Sequence, residues 1–149
     1  MKINDVLAGK GHRVVTVHAK RRIADLPALF DDNSISSVAV VDTSGRLLGI
    51  ITDRIFIQSL ARRGTQMLQL TAADIMQTPA PTCSGETSLT DALRTMTENR
   101  CRHLIVLDAG RMVGIVSIGD LVKFRLQDVE MESRVLRDMA FSHLAAEAS

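Results

Sequence analysis

Tryptophan and tyrosine are missing from this chain, and four phenylalanines are its only aromatic residues. The stacking platforms that hold single-stranded nucleic acid have almost no material to be built from. Neither sign of charge dominates: 18 Lys and Arg stand against 17 Asp and Glu, a net charge of +1. No general electrostatic pull toward nucleic acid or an anionic membrane follows. No apolar run reaches the length of a membrane span. The start, Met1-Lys2-Ile3-Asn4-Asp5, lacks the long apolar segment of a secretory signal. The two cysteines, Cys83 and Cys101, form no C-x-x-C pair, so reduced thiols in a cytoplasmic protein are expected.

Catalytic signatures are also missing. There is no P-loop, no H-E-x-x-H, no G-x-S-x-G and no Rossmann glycine fingerprint. His12, His18, His103 and His143 show no paired metal-ligand spacing, so no metal site is expected. Asp53 and Asp120 have no supporting residues that would make them an acid/base pair. No catalytic residues are assigned, and an enzyme is not the expectation.

What the chain does have is repetition. Gly114-Ile115-Val116-Ser117-Ile118-Gly119-Asp120-Leu121 matches Gly49-Ile50-Ile51-Thr52-Asp53-Arg54-Ile55-Phe56, displaced by 65 residues. Upstream, Val38-Ala39-Val40-Val41-Asp42 matches Leu104-Ile105-Val106-Leu107-Asp108, and Ile23-Ala24-Asp25 matches Leu89-Thr90-Asp91. Such internal repetition governs the fold assignment. With 46% hydrophobic residues the chain can pack a core, but each half alone is of marginal size. The halves should therefore pack face to face.

In the second copy, β-branched Ile115 and Val116 end a buried strand, and Ser117 can cap the helix that follows. Asp120 lies in the first helical turn on the same side. Two readings stand together. One is an ordinary capping pattern, S-x-x-[DE]. The other is a sugar-phosphate site, with Asp120 accepting from a ribose diol and Ser117 and the amide N–H groups facing phosphate.

The double repeat resembles a pair of CBS domains, the cystathionine β-synthase type, together called a Bateman module; small bacterial proteins consist of such a pair alone. The resemblance implies an α+β fold: two β-α-β-β-α units packed face to face, with a long C-terminal helix. It sets a first motif with its N-terminal helix at 1–70, a second at 71–126 and a helical extension at 127–149. It implies a regulatory, energy-sensing role in which an adenosyl nucleotide binds between the motifs. AMP is the first choice; ADP, ATP, NAD(H) and S-adenosylmethionine stay open. It also implies a homodimer, and an unidentified partner protein that reads a conformational shift. The alternative is a structural dimerisation module without a physiological ligand.

By the same resemblance, the nucleotide site comprises Thr82 and Cys83 at the adenine edge, Arg102 and His103 at phosphate, the adjoining Leu104 and Ile105, and the Ser117-Ile118-Gly119-Asp120 turn. The first copy departs from the pattern. Ile55 replaces the carboxylate, Ser36 and Ser37 replace Arg102 and His103, and Asp53 stands two positions early. A weak or empty first site is expected there, with Thr16, Ser37, Thr52 and Arg54 as its residues.

Hydrophobic spacing places a short helix over Asn4–Leu7 and an extended run over Val14–Val17. A helix follows over Arg21–Asp31; Pro27 either kinks it or, as expected with a cap near Ala24 or Asp25, lies in its first turn. Strands are expected over Ser37–Val41 and Leu47–Ile51, and a helix over Arg54–Arg63 closed by Gly64. The bridge Gln66–Ala72 does not read as a loose tether. In the second half, Thr71 caps a short helix and Thr87 or Ser88 caps one over Leu89–Asn99. Strands span Arg102–Leu107 and Met112–Val116. A last helical pattern runs from Gly119 to about Leu144. Its stripe of Val122, Leu126, Val129, Leu136 and Met139 should pack on the module or on a second chain.

Overall fold

The structure is a computed structural model that describes residues 1–148. Ser149, the last residue of the expected extension, lies outside the described residues. Each repeat forms a three-stranded sheet. In the first, β1 (Thr16–His18) pairs parallel with β2 (Ser37–Val41), which pairs antiparallel with β3 (Leu47–Thr52). In the second, β4 (Thr82–Ser84), β5 (His103–Asp108) and β6 (Arg111–Ser117) repeat that order. Even the register shift recurs, between Val40 and Val41 and between Val106 and Leu107.

The apolar runs of β2 and β5 are buried on both faces, which is why they alternate so little. Val38 and Val40 point into the core of repeat one, and Leu104 and Val106 into that of repeat two. The residues between them, Ala39 and Ile105, meet Ile50 at the centre of the molecule, where the two sheets pack face to face. The fold is thus the expected α+β tandem pair.

The helices cover the outer faces. In repeat one, a 3-10 turn at Ile23–Asp25 leads into α2 (Leu26–Asn33), with Pro27 in its first turn as its missing N–H allows. α3 (Asp53–Arg63) is capped by Thr52, whose Oγ1 accepts from the Ile55 N–H at 3.2 Å. α5 (Leu89–Glu98) is capped by Ser88, and its buried face carries Leu89, Ala92 and Met96. The bridge forms a 3-10 turn, Gly64–Gln69, that drives Met67 fully into the first core.

The two short entry helices exchange places. α1 (Ile3–Lys10) precedes repeat one, yet its Ile3, Val6 and Leu7 are buried in the core of repeat two. Backbone bonds fix it there, Ile3 N–H to the Thr87 carbonyl and Asn4 N–H to that of Gly85, both 2.9 Å. α4 (Ala72–Ile75), held by a Thr71–Asp74 capping box, covers repeat one with Ala72, Ile75 and Met76. This exchange accounts for the glycine of each repeat motif. A Cβ on Gly114 would lie 2.6 Å from Leu7 of α1, and one on Gly49 would lie 2.6 Å from the Gln77 carbonyl oxygen.

α6 (Ile118–Ala148) is 31 residues long, about 46 Å at 1.5 Å per residue. Only its first turns pack on the module, through Leu121 and Phe124. The expected stripe does not pack there: Val122, Leu126, Val129, Leu136 and Met139 are all exposed. Among the described residues, no helix is long and apolar enough to cross a membrane.

Candidate functional site

Face-to-face stacking of the sheets leaves two clefts, related by the repeat. Each is built from the strand-to-helix turn of one repeat and the start of the middle strand of the other. The second cleft, about 350 Å³, takes Ser117, Asp120 and Ile115 from repeat two and Val15, Ser34, Ile35, Ser36 and Ser37 from repeat one, with Lys10 and Arg13 at its edge. The first, about 200 Å³, takes Thr52, Asp53, Arg54, Ile55 and Gln58 from repeat one and Gln77, Arg100, Cys101 and Arg102 from repeat two. His103 lines both.

Asp120 forms the capping box that its spacing predicts. Its Oδ2 accepts from the Ser117 N–H at 2.8 Å, and the Ser117 Oγ accepts from the Asp120 N–H at 3.1 Å. The same Oδ2 also takes a bond from Lys10 Nζ at 2.5 Å, and that ammonium donates to the Ile115 carbonyl at 2.6 Å. Partial burial raises the carboxyl pKa, but the Lys10 and Ser117 donors outweigh it and hold Asp120 below the usual carboxylate range. Among the described residues no protein donor engages Oδ1.

His103 is buried at the start of β5, opposite Ser117 across the strand pair. Its Nε2 lies 3.0 Å from the Ser36 Oγ of the other repeat. Burial pushes its pKa down; Asp53 opposes that shift without reversing it. Arg102, just before β5, lines the first cleft and not the second, where it was expected beside Asp120. Ser37, expected in the first cleft, lines the second.

Thr52 and Arg54 do line the first cleft. Thr16, Thr82 and Cys83 line neither cleft, nor do Ile118 and Gly119. Leu104 and Ile105 are fully buried, one in the core of repeat two and one at the central packing of the sheets. Burial pushes the Cys83 thiol up to about 11. Among the described residues, no group of three His, Cys, Asp or Glu side chains is placed to hold a metal ion.

Two matches to the CBS domain model cover residues 10–62 and 72–127. The chain belongs to the CBS domain family. A CBS-domain containing protein of Agrobacterium tumefaciens is similar: 34% identical, a TM-score of 0.81, and 83% of this chain covered against 92% of that one. A 17.7 kDa protein of Acidianus ambivalens is 30% identical over 112 residues, 74% of this chain. The chain spans 66% of that relative's length, just under two thirds. The CBS domain pair of protein MJ0100, in complex with 5′-methylthioadenosine and S-adenosyl-L-methionine, shares the fold at a TM-score of 0.76 and 22% identity, with 86% of this chain and 98% of that one covered.

Within this CBS pair the sequence reading missed Lys10, Arg13, Val15, Ser34, Ile35 and Ile115 in the second cleft, and Arg100, Gln58 and Gln77 in the first. The repeat register held a signal for two of them, since Ser34 and Arg100 are equivalent positions and both are left-handed, at φ +52° and +51°. For Lys10, 110 residues from its carboxylate partner, the sequence held none.

Proposed function

We propose that the protein is a non-catalytic regulatory module that binds an adenosyl nucleotide in its second cleft. AMP is the first candidate, ahead of ADP, ATP, NAD(H) and S-adenosylmethionine. The observation that carries the reading is the mixed lining of that cleft. Val15, Ile35 and Ile115 offer apolar surface, Asp120 a carboxylate, and the hydroxyls of Ser36, Ser37 and Ser117 line the same cleft as the cations Lys10 and Arg13. An adenine, a ribose diol and a phosphate need those three chemistries in turn. Lys10 and Arg13 take the phosphate role that the sequence reading gave to Arg102 and His103. The adenosyl complexes of the MJ0100 pair support the ligand class.

A ligand there would touch residues of both repeats, so binding would favour one relative packing of the halves, and a partner protein would read that shift. The exposed stripe of α6 makes a homodimer the proposed form. A second reading, a structural pair without ligand, is favoured by the Lys10–Asp120 ion pair, which already satisfies Oδ2.

Comparison of AMP with 2′-deoxy-AMP by calorimetry separates the two. One charge-assisted bond to Oδ1 contributes about 1.5 to 3 kcal/mol, or roughly 10- to 150-fold in affinity. Wild type should bind AMP more tightly than the deoxy ligand by that factor, and Asp120→Ala should bind both alike. Equal binding of the two ligands by wild type leaves Asp120 as a helix cap.

A further inference from the structure

The exposed face of α6 carries a strict period. Val122, Val129, Leu136 and His143 recur every seven residues, and so do Leu126, Ser133 and Ala140 between them. All of them are exposed, Leu126 at 58% and Leu136 at 66%. A seven-residue repeat with alternating steps of four and three is the seam of a left-handed coiled coil. The seam also lies on the free side of the helix. At 3.6 residues per turn, Val122, Leu126 and Val129 point away from Leu121 and Phe124, which hold α6 to the module.

The charges that flank the seam say what covers it. In a parallel pair of helices, the residue just before Leu126 or Ser133 meets the residue five further along on the other helix. Arg125 then faces the partner's Glu130, and Glu132 faces the partner's Arg137. Both pairs join opposite charges, and the two-fold axis repeats each of them. Within the chain these groups have little to hold them. Among the described residues Glu130 and Glu132 form no ion pair. Arg125 meets Asp128 at 3.3 Å in a surface pair of small worth, and Arg137 donates to the Ser133 Oγ at 3.4 Å. An antiparallel pair along the same seam would set Leu126 against the partner's His143 and Ser133 against the partner's Leu136. The parallel pair stacks like on like, and its polar layers at Ser133 and His143 fix the register.

We propose that α6 pairs with the α6 of a second copy of this chain as a parallel, in-register, two-stranded coiled coil along this seam. The inference deepens the homodimer reading and rests on it. It sets both modules at one end of a shared rod. An antiparallel pair would hold them at opposite ends of a helix about 46 Å long.

The test is oxidative cross-linking of the full chain with one cysteine added on α6. Wild type is the control, because Cys83 and Cys101 lie outside that helix. Val122→Cys and His143→Cys should each give a disulfide-linked dimer, and Met131→Cys, on the outer side of the coil, should not. In an antiparallel pair like positions would stand roughly 25 Å or more apart, beyond the Cα separation of about 7 Å that a disulfide spans. The substituted positions are exposed, so the fold should be spared. Sedimentation equilibrium reads the flanking charges. Arg137→Glu should weaken the dimer several-fold at low salt, and adding Glu132→Arg should restore it. A dimer in which neither Val122→Cys nor His143→Cys links overturns the parallel pairing and leaves the homodimer reading standing. So does a link that forms only when Leu126→Cys and His143→Cys chains are mixed. Met131→Cys linking as readily as Val122→Cys, a double variant no tighter than Arg137→Glu, or an assembly of more than two chains also overturns the proposal. A strict monomer overturns both readings.

Discussion

His103 sits where the two clefts share a wall, and its protonation couples the site to the stability of the fold. Burial lowers its folded pKa below the ordinary value of 6.5. The groups that act on it are Asp53, Lys10, Asp120 and Arg102, and together they do not reverse the effect of burial. The unfolded chain takes up a proton near pH 6.5 that the folded chain binds only at lower pH. Acid therefore favours unfolding between those two values, and the stability is complete above the unfolded pKa. Asp120 has the same sign in a lower window, losing its contribution as pH falls below about 3.8 toward its depressed folded value. The melting temperature should fall as pH is taken from 7.5 to 5, a range set by the ordinary histidine pKa of about 6.5. His103→Gln keeps a hydrogen-bonding partner for Ser36 and removes the proton site, so it should flatten that slope. An equally steep slope in the variant would show that other groups govern the dependence.

Among the elements, α6 divides into two parts with different roles. Its first turns close the core of repeat two through Leu121 and Phe124. Beyond Gln127 it carries exposed Val129, Leu136, Met139 and Phe141, and nothing in the two cores depends on them. Removal of residues 128–149 should therefore leave the melting temperature within a few degrees while abolishing the proposed dimer in light scattering. A truncated chain that stays dimeric, or a full chain that is strictly monomeric at micromolar concentration, would remove the stripe as the dimer contact. The elements themselves were legible in the sequence for local reasons. Ser88 and Thr71 cap helices, Pro27 is tolerated in a first turn where deeper in it would kink the helix, and the valine run of β2 reads as a strand in any context. The partner of each element was less legible. An apolar stripe such as Ile3, Val6 and Leu7 says that a helix needs cover, but not which sheet supplies it. Likewise, Arg102 lines one cleft and its neighbour His103 lines both. Which cleft each faces depends on how two sheets stack, and no single strand encodes that.

At the scale of the molecule, the exchanged helices make two repeats into one folding unit. Ile3, Val6 and Leu7 are fully buried in the core of repeat two, and such burial contributes roughly 1.5 to 3 kcal/mol per side chain, about 5 to 9 kcal/mol together. That is comparable to the whole stability of a small protein, about 5 to 15 kcal/mol. Repeat two therefore cannot stay folded if the chain before it releases α1; α4 covers repeat one more lightly, with buried Ala72 and partly buried Ile75 and Met76. The chain carries its own local probe. Both cysteines lie in repeat two, and the Cys83 thiol, with its pKa pushed up to about 11, should react slowly in the folded state and quickly once exposed. In a Cys101→Ser background, the urea midpoint read by Cys83 labelling should coincide with that read by far-ultraviolet circular dichroism. Met67→Ala empties a fully buried position in the other repeat, at a cost of about 2 to 5 kcal/mol. If the repeats fold as one, this change in repeat one should lower the Cys83 midpoint as much as the dichroism midpoint. A Cys83 midpoint left in place by Met67→Ala would mean that the halves open separately, and that the exchange of α1 and α4 does not bind them into one unit.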